Sequence, residues 1–398
     1  MNKSGSSWLK FGLFTVGLGQ SFVFVIVPPL ARELGLSEFQ TSSIFAFSAI
    51  GWALTSASWG RASDKYGRRN IAILGLLGYS ASLIAMITPL FLVEKKLLDL
   101  VFLFPLLVFG RMLNGLLGSA TRPASFAYVA DVSSDDKRTV KFARLESSFL
   151  IGTVAGPLVG GFLILISKET PFYIFSFFGI IASIGIYRNL DNKSSISPNN
   201  IETSKKVPWT SHTVWPFLFI ASISSLCLAS LIQTIGFYLF DTFPNIDDLP
   251  VVISMTFVLL SISTIVSQYI FTDTFPLSNN KLLIYGSLLL SFSYMVMALY
   301  PKITVYYLAI IVNGLGGGLL RPAISSSLSL AQSPEHQGSV AGYLGSVYPI
   351  GHILTPVLAM PIYAYNPSYL YYFSSILCLI CFIFINANPI FKTKIIKK

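Results

Sequence analysis

The sequence predicts an all-α polytopic membrane protein, twelve transmembrane helices arranged as two pseudo-symmetric six-helix bundles. Three observations predict it. The 398 residues are 53% hydrophobic and 11% charged, with a mean hydropathy of +0.69, whereas a soluble domain is about a quarter charged. Apolar runs long enough to cross a bilayer recur along the whole chain. The chain also repeats itself at half its length. At about 20 residues per span, twelve spans use about 240 residues and leave only short connections, with no room for a second, soluble domain.

The runs lie at 8–31, 40–59, 70–92, 100–129, 141–166, 171–190, 213–240, 251–272, 281–300, 304–330, 338–364 and 369–390, each read as a helix by the length rule. The first follows Met1-Asn2-Lys3 like the core of a signal peptide, but no small-residue cleavage site follows it, so it is expected to stay as a span. The sixth ends at the longest hydrophilic stretch, which carries SSISPNN and ETSKK and reads as a cytoplasmic linker. The expected organisation is therefore a bundle over 1–190, a linker over 191–212 and a bundle over 213–398.

The net charge of +10 does not mark a nucleic-acid surface, because Lys and Arg gather at the ends of apolar runs rather than on one soluble face. With the amino terminus inside, nineteen basic residues fall on the cytoplasmic side, from Lys3, Lys10, Arg61 and Lys65 to Lys394, Lys397 and Lys398. Five, Arg32, Lys95, Lys96, Lys168 and Lys302, fall opposite. That asymmetry places both termini in the cytoplasm and the protein in the cell's inner membrane. Cys227, Cys378 and Cys381 all sit inside apolar runs, as small core residues rather than a disulfide or metal framework.

Across the linker, NGLLGSATRPA at 114–124 returns as NGLGGGLLRPA at 313–323, an offset of 199 residues, and Gly152 with Pro157 returns at the same offset as Gly351 with Pro356. Half of 398 is 199, so two parallel repeats of six helices are the simplest architecture, with binding expected between them near the bilayer midplane.

The segment GRASDKYGRR, Gly60 to Arg69, separates spans two and three. Gly60 and Gly67 permit a tight turn. Asp64 stands among Arg61, Lys65, Arg68 and Arg69 at a helix end, where a charge cluster can lock two helices; the alternative is a simple positive-inside anchor. This spacing resembles the loop signature of the major facilitator superfamily, with Ala62 where that pattern usually has Leu. The resemblance implies that Asp64 and Arg68 help hold the cytoplasmic side of the outward-facing state shut, with Lys65 and Arg69 in the same cluster and Asp131 as a further partner.

Span four carries Arg111, Asn114, Gly115, Gly118 and Arg122. In a continuous helix these form one polar, small-residue stripe, the two arginines about 16 Å apart. Charges there need a cavity or a partner, so the stripe is expected to face the bundle centre; structural pairing with carbonyls or Glu146 is the plainer reading. Arg111-x-x-Asn114-Gly115 resembles the superfamily's fourth-helix motif, whose Arg is linked to proton transfer, with Asn in place of the usual Gln. In span five, Gly152, Gly156 and Gly160 repeat at four-residue spacing beside Pro157 and Gly161, a face that lets a neighbour approach closely and a proline where the helix can bend. G-x-x-x-G-P-x-x-G-G is similar to the fifth-helix signature of exporters in the superfamily.

Glu146 and His352 are the remaining intramembrane titratable groups. A carboxylate in low dielectric exchanges a proton near neutrality more readily than in water, so Glu146 is the expected proton carrier, near Arg111, and His352 a hydrogen-bonded packing residue. Exporters of this type often have an acid in the first span, where this chain has Gln20. Arg122 and Arg321, repeat mates, form an expected cationic clamp for a carboxylate or phosphate, with Asn114, Asn313, Gln20 and Gln233 as neutral substrate contacts. The aromatics Trp215, Phe217, Phe219, Phe237, Tyr238, Tyr371, Tyr372 and Phe373 are expected to face lipid or to line an apolar pocket.

The expected function is secondary active transport of a small organic molecule by alternating access, proton-coupled and outward, by a monomer with no cofactor or metal. No phosphate-binding G-x-x-x-x-G-K-[ST] loop is present. Movement of an organic anion such as a carboxylate siderophore is the alternative. A membrane enzyme is disfavoured because His212, His336 and His352 lie in separate segments without convergent acids; a passive channel is the other competitor.

Overall fold

The computed structural model describes residues 3–132, 135–191, 207–244, 248–274, 277–332 and 337–392. Linker residues 192–206, His336 and the basic tail residues Lys394, Lys397 and Lys398 lie outside them. Among the described residues every regular element is helical, as a bilayer requires, because only a helix or a closed barrel satisfies its own backbone there. The chain divides into two compact units, Met1–Asn200 and Ile201–Lys398.

The first unit holds α1 (Lys3–Glu33), α2 (Glu38–Tyr66), α3 (Arg68–Glu94), α4 (Leu103–Leu116), α5 (Thr121–Asp131), α6 (Asp135–Ile164) and α7 (Thr170–Asn189). The second holds α8 (Trp215–Thr242), α9 (Leu249–Gln268), α10 (Asn279–Leu299), α11 (Ile303–Leu330), α12 (Gln337–Leu354), α13 (Met360–Tyr365), α14 (Pro367–Ala387) and the short α15 (Pro389–Lys392). Inside the first unit α1 packs on α6, α2 and α3 on α4, and α3 on α7. Inside the second, α8 packs on α12, α9 and α10 on α11, and α10 on α14. The same pairing therefore recurs with the repeat.

Eleven described helical segments are long and apolar enough to span a membrane. The twelfth rod, α2, is 29 residues long but carries eight Ser or Thr, which lowers its hydropathy. Those hydroxyls suit a membrane all the same, since Thr41, Ser43 and Thr55 each donate to the carbonyl four residues back and expose no unpaired donor. A capping box opens α2: Ser37 Oγ accepts from the Gln40 amide at 3.2 Å and the Gln40 side chain accepts from the Ser37 amide at 3.0 Å.

Three spans depart from unbroken rods. The fourth breaks between α4 and α5, where Gly118–Ala120 forms a 3₁₀ turn. The eighth ends in a π-helical turn, Tyr269–Thr274, and the eleventh is split by another, Thr355–Ala359. The loop expected over Gly60–Arg69 is also shorter than its glycines suggest. Helix α2 runs on through Gly60 to Tyr66, and Gly67 alone makes the turn. Its φ of +93° is the left-handed region in which a Cβ is strained, so glycine is required there.

Half of the eight aromatics expected to face lipid or a pocket are instead packed in the core of the second unit, whereas Phe219 is exposed and Trp215, Tyr372 and Phe373 are half-buried. Phe217, Phe237, Tyr238 and Tyr371 are each 1% exposed, and Tyr238 stacks on Tyr306 and meets Tyr371 edge-on within the second unit. The three cysteines are buried thiols in α8 and α14.

Candidate functional site

The turn at Gly67 sets the first charged assembly. Because α3 starts at the next residue, Arg68 is aimed back along α2, and its guanidinium uses three nitrogens at once. Nε donates to Asp131 Oδ2 at 3.0 Å, Nη1 to Ser63 Oγ at 2.6 Å, and Nη2 meets the Asp64 carboxylate. Ser63 Oγ in turn donates to the Gly60 carbonyl at 2.7 Å. Arg68 thus ties the end of α5 to both sides of the α2–α3 turn. Its side chain is 11% exposed, against 53% for Asp64 and 29% for Asp131, so the Asp131 arm is the more shielded and the stronger. Arg69 belongs to another contact. It donates to the Leu190 carbonyl at 3.3 Å and lies over the Tyr187 ring, holding the end of α7. Among the described residues Lys65 lies over the neighbouring Tyr66 ring, and a Cβ at Gly60 would meet nothing within 4 Å.

The break in span four corrects the single polar stripe. Each 3₁₀ residue turns about 120° rather than about 100°, so Arg111 and Arg122 do not stay in phase and find different neighbours. The carbonyls freed at the break are taken by α2: Thr55 Oγ1 donates within reach of Gly115 O (3.3 Å) and Leu116 O (3.2 Å), and Trp59 Nε1 donates to Leu116 O at 2.6 Å. Gly115 lets α2 close in, since a Cβ there would collide with the Ser48 carbonyl. The sequence reading missed Thr55 and Trp59, although a hydroxyl-rich span facing a glycine-rich one is a signal for such bonds. In the second unit Ser267 of α9 reaches Leu315 O at 2.8 Å, and Leu315 is the repeat mate of Leu116.

Arg111 is 4% exposed. Its guanidinium sits 5.6 Å from the ring centroids of both Phe24 and Phe45, and its Nε has no hydrogen-bond partner among the described residues. Tyr79 is its electrostatic neighbour, and that phenol donates to the Thr15 carbonyl at 2.8 Å. The repeat mate of Arg111 is Ile310, fully buried. The buried cation therefore belongs to the first unit alone.

Glu146 pairs with Arg122 at 2.5 Å, the structural pairing that is the plainer reading of the stripe, and the expected position of the acid near Arg111 is corrected. The guanidinium of Arg122 also lies over Phe149 (5.2 Å) and Phe126 (5.8 Å). The expected clamp of two free arginines is corrected accordingly: in the first repeat the cation is already neutralised. Arg321 keeps the aromatic half of the arrangement, 5.3 Å from the ring centroid of Tyr348, the repeat mate of Phe149.

The neutral candidates are mostly enclosed. Asn114 and Asn313 are 3% and 1% exposed; Asn313 Nδ2 donates to Ser293 Oγ at 2.9 Å, and Asn114 lies over Gly118. Gln233, 1% exposed, has its amide 3.1 Å from His352 Nδ1. Asn313 and Gln233 join neighbouring helices and Asn114 is packed within its own span, rather than opening onto a substrate space, which corrects that expectation. Gln20 stays half-buried.

Gly152, Gly156 and Gly160 face α1, where a Cβ would collide with the Phe14 carbonyl, the Leu18 carbonyl and the Phe22 ring respectively. Gly161 is half-exposed. Helix α6 passes Pro157 without a break in its α-helical run. The distortion falls instead at the repeat mate, Pro356, inside the π turn.

The model of the family described as Major Facilitator Superfamily matches residues 9–301 and 251–392. The chain is 26% identical over 375 residues to Multidrug resistance protein 1 of Bacillus subtilis (strain 168), covering 92% of each chain. It is 24% identical to the class B tetracycline resistance protein of Escherichia coli, covering 88% of this chain and 86% of the relative. Its fold matches a bacterial homolog of the human lysosomal transporter Spinster with a TM-score of 0.73 at 15% identity, over 96% of this chain and 95% of that one. With its all-helical spans, its repeat at half length and the matching family model, this chain is a multi-pass membrane transporter, not an enzyme, and belongs to the Major Facilitator Superfamily.

Proposed function

We propose that the protein exports small organic molecules across the cell inner membrane in exchange for protons, acting as a monomer with both termini in the cytoplasm. Its mechanism is alternating access, in which the substrate site opens to one face of the membrane and then to the other. The observation that carries the reading is the Arg68 assembly. A guanidinium held by Asp64, Asp131 and Ser63 locks three helix ends with charge-assisted bonds that can break and re-form as a unit. The drug-resistance names of the relatives support an organic cargo and the outward direction. Proton exchange is assigned to Glu146, whose neutralisation releases Arg122.

A second reading, movement of an organic anion, is favoured by Arg321, which lacks a carboxylate at the place where Arg122 has one. The test is reconstitution into vesicles holding a pH-sensitive dye, with ethidium as the cargo. Ethidium uptake accompanied by a proportional change of lumenal pH is expected; uptake without proton movement overturns the antiport and indicates a passive pathway.

A further inference from the structure

We propose that Arg321 is the anchor for an anionic group, a carboxylate or phosphate carried on an organic body, and that this anion takes the place that Glu146 fills in the first repeat. The inference rests on the transport reading above and narrows its substrate class.

The repeat keeps the cation and its aromatic support. Arg122 over Phe149 at 5.2 Å and Arg321 over Tyr348 at 5.3 Å are related by the same offset at both residues. It leaves out the acid. The position equivalent to Glu146 is Gly345, where an added Cβ would find nothing within 4 Å. Helices α10 to α14 contain no Asp or Glu, Asp273 lies past the end of α9, Asp248 precedes α9, and Asp241 stands in the last turn of α8; Asp247 and Glu335 lie outside the described residues, among which no carboxylate pairs with Arg321. The Asp241 carboxylate accepts from the Tyr363 hydroxyl at 2.7 Å. Arg321 has two phenols, Tyr348 and Tyr294, as electrostatic neighbours, and Tyr348 shares a 3.2 Å hydroxyl contact with Ser325. A ring face and neutral hydroxyls solvate a guanidinium but do not neutralise it.

A membrane span that retains an arginine without a counter-charge needs one from elsewhere. The open space over Gly345 is where the first repeat places a carboxylate, and the planar fork of Arg321 suits a two-oxygen anion. The chain has thus built one closed pair, available for proton exchange, and one pair left for the cargo to complete.

The test uses the purified full-length protein and four small probes with a common aryl body: benzoate, phenyl phosphate, benzamide and benzyltrimethylammonium. Thermal unfolding is followed in detergent. Benzoate or phenyl phosphate is expected to raise the midpoint of the wild type, benzamide and the ammonium not; which anion is stronger separates the carboxylate from the phosphate source. Gly345→Glu supplies the missing acid internally. It is expected to weaken anion binding by about tenfold or more, the loss of one charge-assisted pair, whereas Gly345→Gln, of equal bulk, keeps it. Without any ligand, Gly345→Glu is expected to raise the midpoint only when Arg321 is present, so Arg321→Gln abolishes the gain.

Anion effects that persist in Arg321→Gln, or an absence of any anion-specific shift in the wild type, overturn the proposal. So does a Gly345→Glu effect that is independent of Arg321. Exchange of ethidium and of benzoate by the wild type reads the transport function separately: exchange of either without an Arg321-dependent anion response sinks the anchor and leaves the transporter standing, and exchange of neither defeats the transport reading itself.

Discussion

Arg122 donates to Glu146 at 2.5 Å and thereby bridges α5 and α6, with 41% and 38% of the two side chains exposed. Gln keeps the bulk of Glu146 and an amide oxygen that can still accept from Arg122, so Glu146→Gln should leave folding and membrane insertion largely unchanged. If Glu146 carries the proton, the same variant loses pH-driven exchange and keeps substrate counterflow, as vesicle flux with and without a pH gradient will show. Retained proton coupling removes Glu146 from the mechanism.

The three-armed use of Arg68 leads to a sharper substitution than removal of its charge. Lysine keeps the charge but offers one nitrogen where Asp64, Ser63 and Asp131 each bond a different one. Arg68→Lys is expected to lower turnover about tenfold, the loss of one charge-assisted bond, with normal protein levels. Asp131→Asn should cost more than Asp64→Asn, because the Asp131 arm is the less exposed. Initial rates of ethidium flux, normalised to protein in the membrane, give the comparison; wild-type rates in all three variants defeat the latch.

What the chain announced and what it hid divide along a physical line. Span number, repeat and the glycine face of α6 depend on hydropathy, offset and residue size, all of which are local or periodic. Which of the two stripe arginines pairs with Glu146 was hidden because it turns on helix phase. Three 3₁₀ residues at Gly118–Ala120 rotate the second half of span four, and nothing in a period count reveals where Thr55 and Trp59 will take over its carbonyls. Gly60 and Gly67 look alike in sequence, yet only Gly67 has a positive φ. Asn114, Asn313 and Gln233 read as substrate contacts because buried amides in a membrane demand partners, and those partners proved to be other side chains and tight packing.

That difference between glycines is measurable. At Gly60 a methyl group meets open space inside a helix, so Gly60→Ala should stabilise by about 0.5–1 kcal/mol through helix propensity. At Gly156 the added Cβ lands on the Leu18 carbonyl of α1, and Gly156→Ala should destabilise by roughly 1–3 kcal/mol. Thermal midpoints in detergent, moving in opposite directions, are the expected result; equal effects contradict the close approach of α1 and α6.

Arg111 presents the reverse case, a charge retained where stability does not ask for it. Its neighbours are the rings of Phe24 and Phe45 and the Tyr79 phenol, and replacing a buried charge by an apolar side chain of similar volume is often neutral or stabilising, by roughly 1–4 kcal/mol. Arg111→Met is expected to keep or raise the thermal midpoint and to abolish transport. A large fall in midpoint instead identifies Arg111 as a structural residue.

Lys168 offers a pH test outside the spans. It lies between α6 and α7, its ammonium 3.3 Å from Glu33 and 3.7 Å from Glu94, so it joins the ends of α1 and α3. Partial burial by itself lowers its pKa, but the charges and hydrogen bonds of Glu33 and then Glu94 outweigh that and raise it. A raised pKa means the folded state holds the proton more tightly than the unfolded chain does. The stabilisation is then complete below the unfolded lysine value of about 10.4 and disappears as pH climbs through the higher folded value. Lys168→Gln should lower the midpoint modestly, by an amount worth about 1 kcal/mol or less for so exposed a cluster. The deficit should be constant between about pH 7 and pH 9 and close above about pH 10.4. A deficit that persists into strong alkali shows that the side chain acts by packing its methylenes, and the ion pairs are then bystanders.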